Sequence, residues 1–131
     1  MLNRKFWKDK KVFITGHTGF KGSWLSIWLK ILGAKVYGYS IGVPTKPSLF
    51  KLANIEKFID RNYIQDIRNF NSLKNAINSV KPSIVFHLAA QPSVRYSYQN
   101  SIETIKTNVI GSSNLLEIIK NNKTIKQQRI L

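Results

Sequence analysis

A short apolar run, Lys11–Thr15 ("KVFIT"), is followed at once by "GHTGFKG", with glycines at Gly16, Gly19 and Gly22. Phe20, Trp24, Ile27, Trp28 and Ile31 then recur at helical spacing, and Gly33 supplies a stop signal. Strand, glycine turn and helix in that order open a βαβ unit, and few other arrangements suit such a stretch. A dinucleotide pyrophosphate needs backbone N–H donors and the positive end of a helix. Side chains obstruct that approach. The first glycine permits the tight turn, the second lets the backbone reach the phosphates, and the third lets helix and strand pack closely. The loop is not a P-loop, because no Lys-Ser/Thr pair follows at the required offset.

The alternation continues along the chain. Lys35–Ser40 ("KVYGYS") reads as a second strand, and a loop with two prolines follows. Ser48 can cap a short helix carrying Leu49, Phe50 and Leu52. Asn62–Ile67 reads as a third strand, and Phe70, Leu73, Ile77 and Val80 mark an amphipathic helix broken by Pro82. Ser83–Ala90 ("SIVFHLAA") reads as a fourth strand, apolar on both faces as a buried parallel strand should be. A long helix is expected over 101–120. Ile102, Ile105, Val109, Leu116 and Ile119 form one stripe of it, and Ile110, Leu115 and Ile118 a second. The tail "NNKTIKQQRIL" shows no convincing element; its "KTIKQQRIL" reads as a poor fifth strand. The expected fold class is α/β: a partial Rossmann fold, a parallel sheet of about four strands in the order 3-2-1-4, with helices on both faces.

The 131 residues suit one domain, here the amino-terminal part of an NAD(P)-binding unit. The absence of cysteine excludes disulfides and thiolate metal sites, and it fits the cytoplasm as the expected location. No apolar run approaches the ~20 residues a membrane helix needs. The net charge of +15 raises affinity for any polyanion. Two clusters carry much of it: Arg4, Lys5, Lys8, Lys10 and Lys11, and then Lys120, Lys123, Lys126 and Arg129. Solvated chain ends are the plainer reading, since no nucleic-acid-binding motif accompanies them.

Other candidates gather near the strand ends. The acid that usually binds the adenosine ribose is missing, and Ser40 stands in its place. Ser40 can hydrogen-bond a ribose but cannot reject a 2′-phosphate by charge, and Lys46 could accept one. NAD and NADP therefore both stay open. Asp66 and Ile67 offer a carboxylate and an N–H to adenine; alternatively Asp66 pairs with Arg68 or caps a turn. Ala89 and Ala90 would let a cofactor lie close to the backbone, and His87 reads as a packed histidine.

Five segments together carry a family resemblance: "TGHTGFKGSWL", "GYSIGVPTKPSLF", "DIRN", "VFHLAAQPSVRYSY" and "TNVIGSSNLLE". From about Lys11 to Lys120 the chain resembles the extended short-chain dehydrogenase/reductases that act on sugar nucleotides, in particular their dehydratases for CDP-sugars. The resemblance implies tightly held NAD that removes a hydride from sugar C4, loss of water across C5–C6, and hydride return to C6. It places Gly16, Gly19 and Gly22 on the pyrophosphate, with Thr18, Phe20 and Lys21 shaping the loop. It places Asp66 and Ile67 on adenine, and Leu88, Ala89 and Ala90 along the nicotinamide-side ribose. Asn108 matches an asparagine that steadies the active site. Gln91 and Arg95 fall where substrate contacts begin, Arg95 being equally suited to a structural ion pair. The 101–120 helix matches one that forms homo-oligomers.

The catalytic pair of that family, Tyr-x-x-x-Lys, does not occur. The residues four after Tyr37, Tyr39, Tyr63, Tyr96 and Tyr98 are Ile41, Val43, Ile67, Asn100 and Ile102. The family's acid/base segment and its CDP-sugar domain would follow a fifth strand, which should begin near Leu131. The expectation is a truncated, inactive amino-terminal portion that keeps the cofactor loop and leaves strand four as an exposed, aggregation-prone edge. A cofactor module completed by a partner chain, and a basic nucleic-acid-binding protein, are the alternatives.

Overall fold

The computed structural model describes residues 3–125 and the backbone of 127–130. Five parallel strands form one sheet in the order β3-β2-β1-β4-β5. They are β1 (Lys11–Thr15), β2 (Lys35–Ser40), β3 (Arg61–Ile64), β4 (Ile84–His87) and β5 (Gln127–Ile130). The expected 3-2-1-4 order stands, and one strand extends it. The tail was expected to hold no convincing element and at best a poor fifth strand, but β5 pairs with β4 in parallel, from Ile84 opposite Gln127 to His87 opposite Ile130. Strand β4 is therefore internal, and the expected exposed edge at β4 is not found. The run Gln-Gln-Arg-Ile has too few apolar residues to read as a strand alone; pairing with an apolar neighbour supplies what composition does not.

Alternating side chains divide two cores between the sheet faces, because the strand period is two. Phe13, Tyr39 and Val85 face helix α4 (Phe70–Val80) and helix α7 (Gly111–Lys120), packing on Leu73, Ala76, Ile77, Leu115 and Ile118. Val12, Ile14, Val36 and Ile84 face helix α2 (Phe20–Ile31) and the segment holding Phe50, Ile55 and Ile59. Val12, Phe13 and Ile14 are all fully buried, each contributing roughly 1.5–3 kcal/mol from apolar burial. A strand buried on both faces is what a parallel sheet requires.

The local signals place the helix ends. Gly33 takes a φ of +90° just after α2. Ser48 accepts a hydrogen bond from Lys51 N to start helix α3 (Leu49–Leu52), and Asn69 accepts from Ser72 N to start α4. Two expected strands are shorter than the sequence suggests. β3 ends at Ile64, and β4 ends at His87, so Asp66, Ile67 and Leu88–Ala90 lie in loops beyond the strand ends. Short helices α1 (Arg4–Trp7) and α5 (Val94–Gln99) and a 3-10 turn, Ile55–Lys57, were not anticipated.

The long helix over 101–120 is present but not uniform. It runs as α6 (Ser101–Ile105), a π-helical turn (Lys106–Ile110) and α7. Its second stripe buries Leu115 and Ile118 but leaves Ile110 about half exposed. Ile102, Ile105, Val109 and Leu116 of the first stripe stay exposed, while Ile119 packs against the core.

Candidate functional site

The carboxyl ends of β1, β2 and β4 converge on the glycine loop. Gly16 leaves β1 with a φ of +75°, and an added Cβ would lie 2.7 Å from Ala89 N and Leu88 C. Gly22 sits on the first turn of α2, where a Cβ would overlap the Gly16 carbonyl and lie 2.7 Å from His17 Cα. The chain itself demands both glycines. Gly19 differs. Its φ is −73°, and an added Cβ would meet only the Gly16 carbonyl oxygen, at an ordinary 3.5 Å. Nothing in the described protein requires glycine there. Gly19 is also the N-cap of α2, and no side chain caps the helix. The first-turn N–H groups at Phe20, Lys21 and Gly22 are thus open to an anion. A Cβ at Gly19 would occupy the space over them.

The loop is braced by buried hydroxyls. Thr18 Oγ1 donates to the Gly42 carbonyl at 2.5 Å, and it lies 2.7 Å from Ser40 Oγ. Thr18 has one proton, so Ser40 directs its own toward Thr18 Oγ1 and the Gly42 carbonyl, 3.3 Å away, and keeps its lone pairs free. Ser40 is therefore presented as a hydrogen-bond acceptor at the end of β2, the place where the sequence lacks an acid. His17 packs its ring over Gly38 and donates through Nε2 to Asn62 Oδ1 at 2.6 Å. Burial lowers the His17 pKa, with the Asn62 hydrogen bond opposing the shift in part. Its Nδ1 is buried without a partner among the described residues.

The Asp66–Arg68 segment forms the next wall. Asp66 holds Arg68 through two carboxylate oxygens, with the Arg68 guanidinium at 2.6 Å and Arg68 N at 2.8 Å. These contacts keep the Asp66 carboxyl below its ordinary pKa. Pairing with Arg68, one of the two expected alternatives, is thus observed. Asn114 of α7 donates to the Ile67 and Arg68 carbonyls at 3.1 and 3.0 Å, and Gly111 gives Ile67 room to pack.

Beyond β4, Leu88, Ala89 and Ala90 run beside the glycine loop. Leu88 N and Ala89 N both donate to Thr15 Oγ1 at 3.2 Å. Asn108, on the π-helical turn, accepts from Gln91 N at 2.7 Å and donates to the Gln91 carbonyl at 3.2 Å. The Gln91 side chain turns inward to Ser93, whose N it accepts at 2.8 Å. Arg95 is exposed and enters no ion pair among the described residues, so the structural ion-pair alternative for it is not seen. His87 is buried, as expected of a packed histidine. The structure thus brings the glycine loop, Ser40, Leu88–Gln91 and Asn108 together, with Asp66 and Ile67 alongside. Arg95 is exposed on α5 and shares no hydrogen bond with these groups among the described residues.

The basic ends are mostly solvent-facing, although Lys11 Nζ donates to the Val80 carbonyl and Lys10 lies over the Phe6 ring. Lys126 and the Arg129 side chain lie outside the described residues. Thr15, Asn62, Ser112 and Asn114 were not singled out from sequence. Single hydroxyls and amides have no spacing rule, and only contacts across the sheet reveal them.

Comparison with known proteins places this geometry. Residues 13–131 match the family model described as GDP-mannose 4,6 dehydratase. The chain is 52% identical over 126 residues to a CDP-glucose 4,6-dehydratase of Salmonella typhimurium, covering 96% of this chain and 35% of that one. It is 32% identical to a UDP-glucose 4-epimerase of Mycoplasma genitalium, covering 85% of this chain and 32% of the relative. The chain thus spans about a third of the length of these relatives. Among solved structures, a UDP-glucose 4-epimerase from Thermotoga maritima with UDP-glucose superposes with a TM-score of 0.79 at 29% identity, covering 92% of this chain and 37% of that one. A UDP-glucose 4-epimerase of Thermus thermophilus in complex with NAD gives a TM-score of 0.77 at 27% identity, covering 89% and 36%.

Proposed function

The chain belongs to the GDP-mannose 4,6-dehydratase family, and from that premise we propose that it is the NAD-binding portion of a CDP-glucose 4,6-dehydratase. The likeness of 52% over nearly the whole chain supports the CDP-sugar assignment. The observation that carries the cofactor reading is Gly19: its missing side chain serves no described contact and opens the N-terminus of α2.

In this reading Gly16, Gly19 and Gly22 carry the pyrophosphate, and the N–H groups at Phe20, Lys21 and Gly22 hold its charge. Ser40 accepts from the adenosine 2′-hydroxyl. An acceptor-only oxygen repels a 2′-phosphate, which favours NAD over NADP. The Ile67 N–H and Asp66 face adenine, while Leu88, Ala89 and Ala90 line the nicotinamide-side ribose. Asn108 fixes the Gln91 backbone beside them, and Gln91 and Arg95 open the substrate side. Bound NAD supplies a two-electron hydride acceptor and donor. These residues orient it and exclude water; none stands as the base for a sugar hydroxyl, since Tyr-x-x-x-Lys is absent from the 131 residues. The exposed stripe of Ile102, Ile105, Val109 and Leu116 supports the 101–120 helix as a contact between copies.

The test is backbone amide spectroscopy with added NAD. The signals of Gly16–Gly22, Ile67 and Leu88–Ala90 should move together and saturate. Movement confined to the basic ends would remove the cofactor reading. No turnover of CDP-glucose by the 131 residues is expected, and measurable product would overturn that part.

A further inference from the structure

We propose that His87 and Ser112 are positioning residues for the cofactor loop, linked in a one-way chain of hydrogen bonds from Thr15 to Asn108. The inference rests on the NAD reading above. It starts from Thr15, which is fully buried at the end of β1. Thr15 Oγ1 accepts from Leu88 N and Ala89 N, both at 3.2 Å. Leu88 N also donates to the Thr15 carbonyl at 3.0 Å, so its bond to Oγ1 is a shared one, and the Oγ1 proton is left for another acceptor. His87 Nδ1 is 2.6 Å away and takes it. Nδ1 is then an acceptor, so a neutral ring carries its proton on Nε2. Ser112 Oγ lies 2.7 Å from Nε2 and accepts that proton. The Ser112 hydroxyl in turn donates to the Asn108 carbonyl at 2.6 Å. The Ser112 proton is committed to the Asn108 carbonyl, so Nε2 must be the donor to Ser112, and in a neutral ring Nδ1 is then the acceptor for Thr15.

The chain joins two parts of the site that Gln91 also links. At one end it holds the Leu88–Ala89 backbone against Gly16. At the other it supports Asn108, whose side chain grips both backbone groups of Gln91. Asn108 sits in the π-helical turn, where the ladder is offset by one residue and a side-chain donor can serve a carbonyl. His87 is 4% exposed, and burial alone favours its neutral form, with no charged neighbour contributing. A protonated ring would lose the Thr15 acceptor, so neutrality is part of the arrangement.

Two measurements on the 131-residue chain test this. The first reads the imidazole nitrogens of His87 by long-range proton–nitrogen correlation at pH 7, without cofactor. The expected signature is a neutral ring with its proton on Nε2. A ring protonated on Nδ1, or on both nitrogens, overturns the relay whatever NAD does. The second measures the NAD dissociation constant and melting temperature of Ser112→Ala and Ser112→Thr. Losing one neutral hydrogen bond in the chain should weaken NAD about fivefold to tenfold in Ser112→Ala. Ser112→Thr keeps a hydroxyl and should bind within about twofold of the parent by the same reckoning. A lower melting temperature with unchanged NAD affinity would mean that Ser112 only stabilises the fold, and the inference fails. An Nε2–H ring in a parent chain that does not bind NAD would overturn the positioning role and the cofactor reading together, while the hydrogen-bond directions stand.

Discussion

Gly19→Ala separates the fold from the cofactor, because the two make different demands on that position. The φ of −73° suits alanine, and the added methyl would sit 3.5 Å from the Gly16 carbonyl oxygen. Losing the N-cap glycine costs a few tenths of a kcal/mol to about 1 kcal/mol. Restricting the unfolded chain returns about 0.4–1 kcal/mol. The two nearly cancel, so the melting temperature should move by no more than about 4 °C for a domain of this size. The same methyl stands in front of the open N–H groups of α2, where a phosphate oxygen must come to about 2.9 Å. Losing one charge-assisted contact of about 1.5–3 kcal/mol weakens NAD between about tenfold and about a hundredfold. Thermal melting and calorimetric titration of the same sample read both quantities. An alanine variant that binds NAD as tightly as the parent would refute the reasoning, because the space over the helix would then hold no phosphate.

Gly22→Ala should behave in the opposite way: its methyl meets backbone at Gly16 and His17, so the melting temperature falls along with binding, a loss of about 1–3 kcal/mol by melting. His17 and His87 are held neutral by burial, so below about pH 6.5 the unfolded chain binds more protons and stability falls as pH drops. A pH series of melts should show that slope, and His17→Gln and His87→Gln should each flatten it. Its hydrogen bonds with Arg68 hold the Asp66 carboxyl below the ordinary carboxylate range, so its contribution is present above that range and disappears as pH falls through the lower folded value. At 31% side-chain exposure the pair contributes no more than about 1 kcal/mol, and Asp66→Asn should remove the acid-range slope in a melt series below pH 4. Arg95→Ala should leave NAD affinity unchanged by titration, since Arg95 shares no hydrogen bond with the glycine loop among the described residues.

The glycine loop, β1, β2, α2 and α4 were legible because each combines an apolar period with a start or stop residue. The strand order followed from right-handed crossovers. The errors have physical causes. Ser83–Ala90 is largely apolar, but only Ile84–His87 finds a ladder on β1; the rest turns toward the loop because Thr15 holds the Leu88 and Ala89 amides. Asn62–Ile67 was read three residues too far, since the strand ends at Ile64 and Tyr39 donates its hydroxyl to the Asp66 carbonyl beyond that end. Strand β5 read only as a poor strand because its evidence is its partner. The π-helical turn was hidden: Lys106–Ile110 has ordinary helical composition, and the offset shows only in the backbone. At the site, the glycines were readable from spacing and Ser40 from the missing acid. The hydrogen-bond direction at Ser40 needed Thr18 and Gly42 in place, and residues 22 or more apart cannot be aligned by pattern.

The most direct test of the central claim is a calorimetric titration of the chain with NAD and with NADP, at low and at physiological salt. A single saturable NAD site whose affinity survives added salt, with NADP weaker, is the predicted result. Heat that vanishes on raising the salt, or equal binding of both dinucleotides, would contradict it: the first would trace binding to the +15 charge rather than the glycine loop, and the second would remove the role assigned to Ser40.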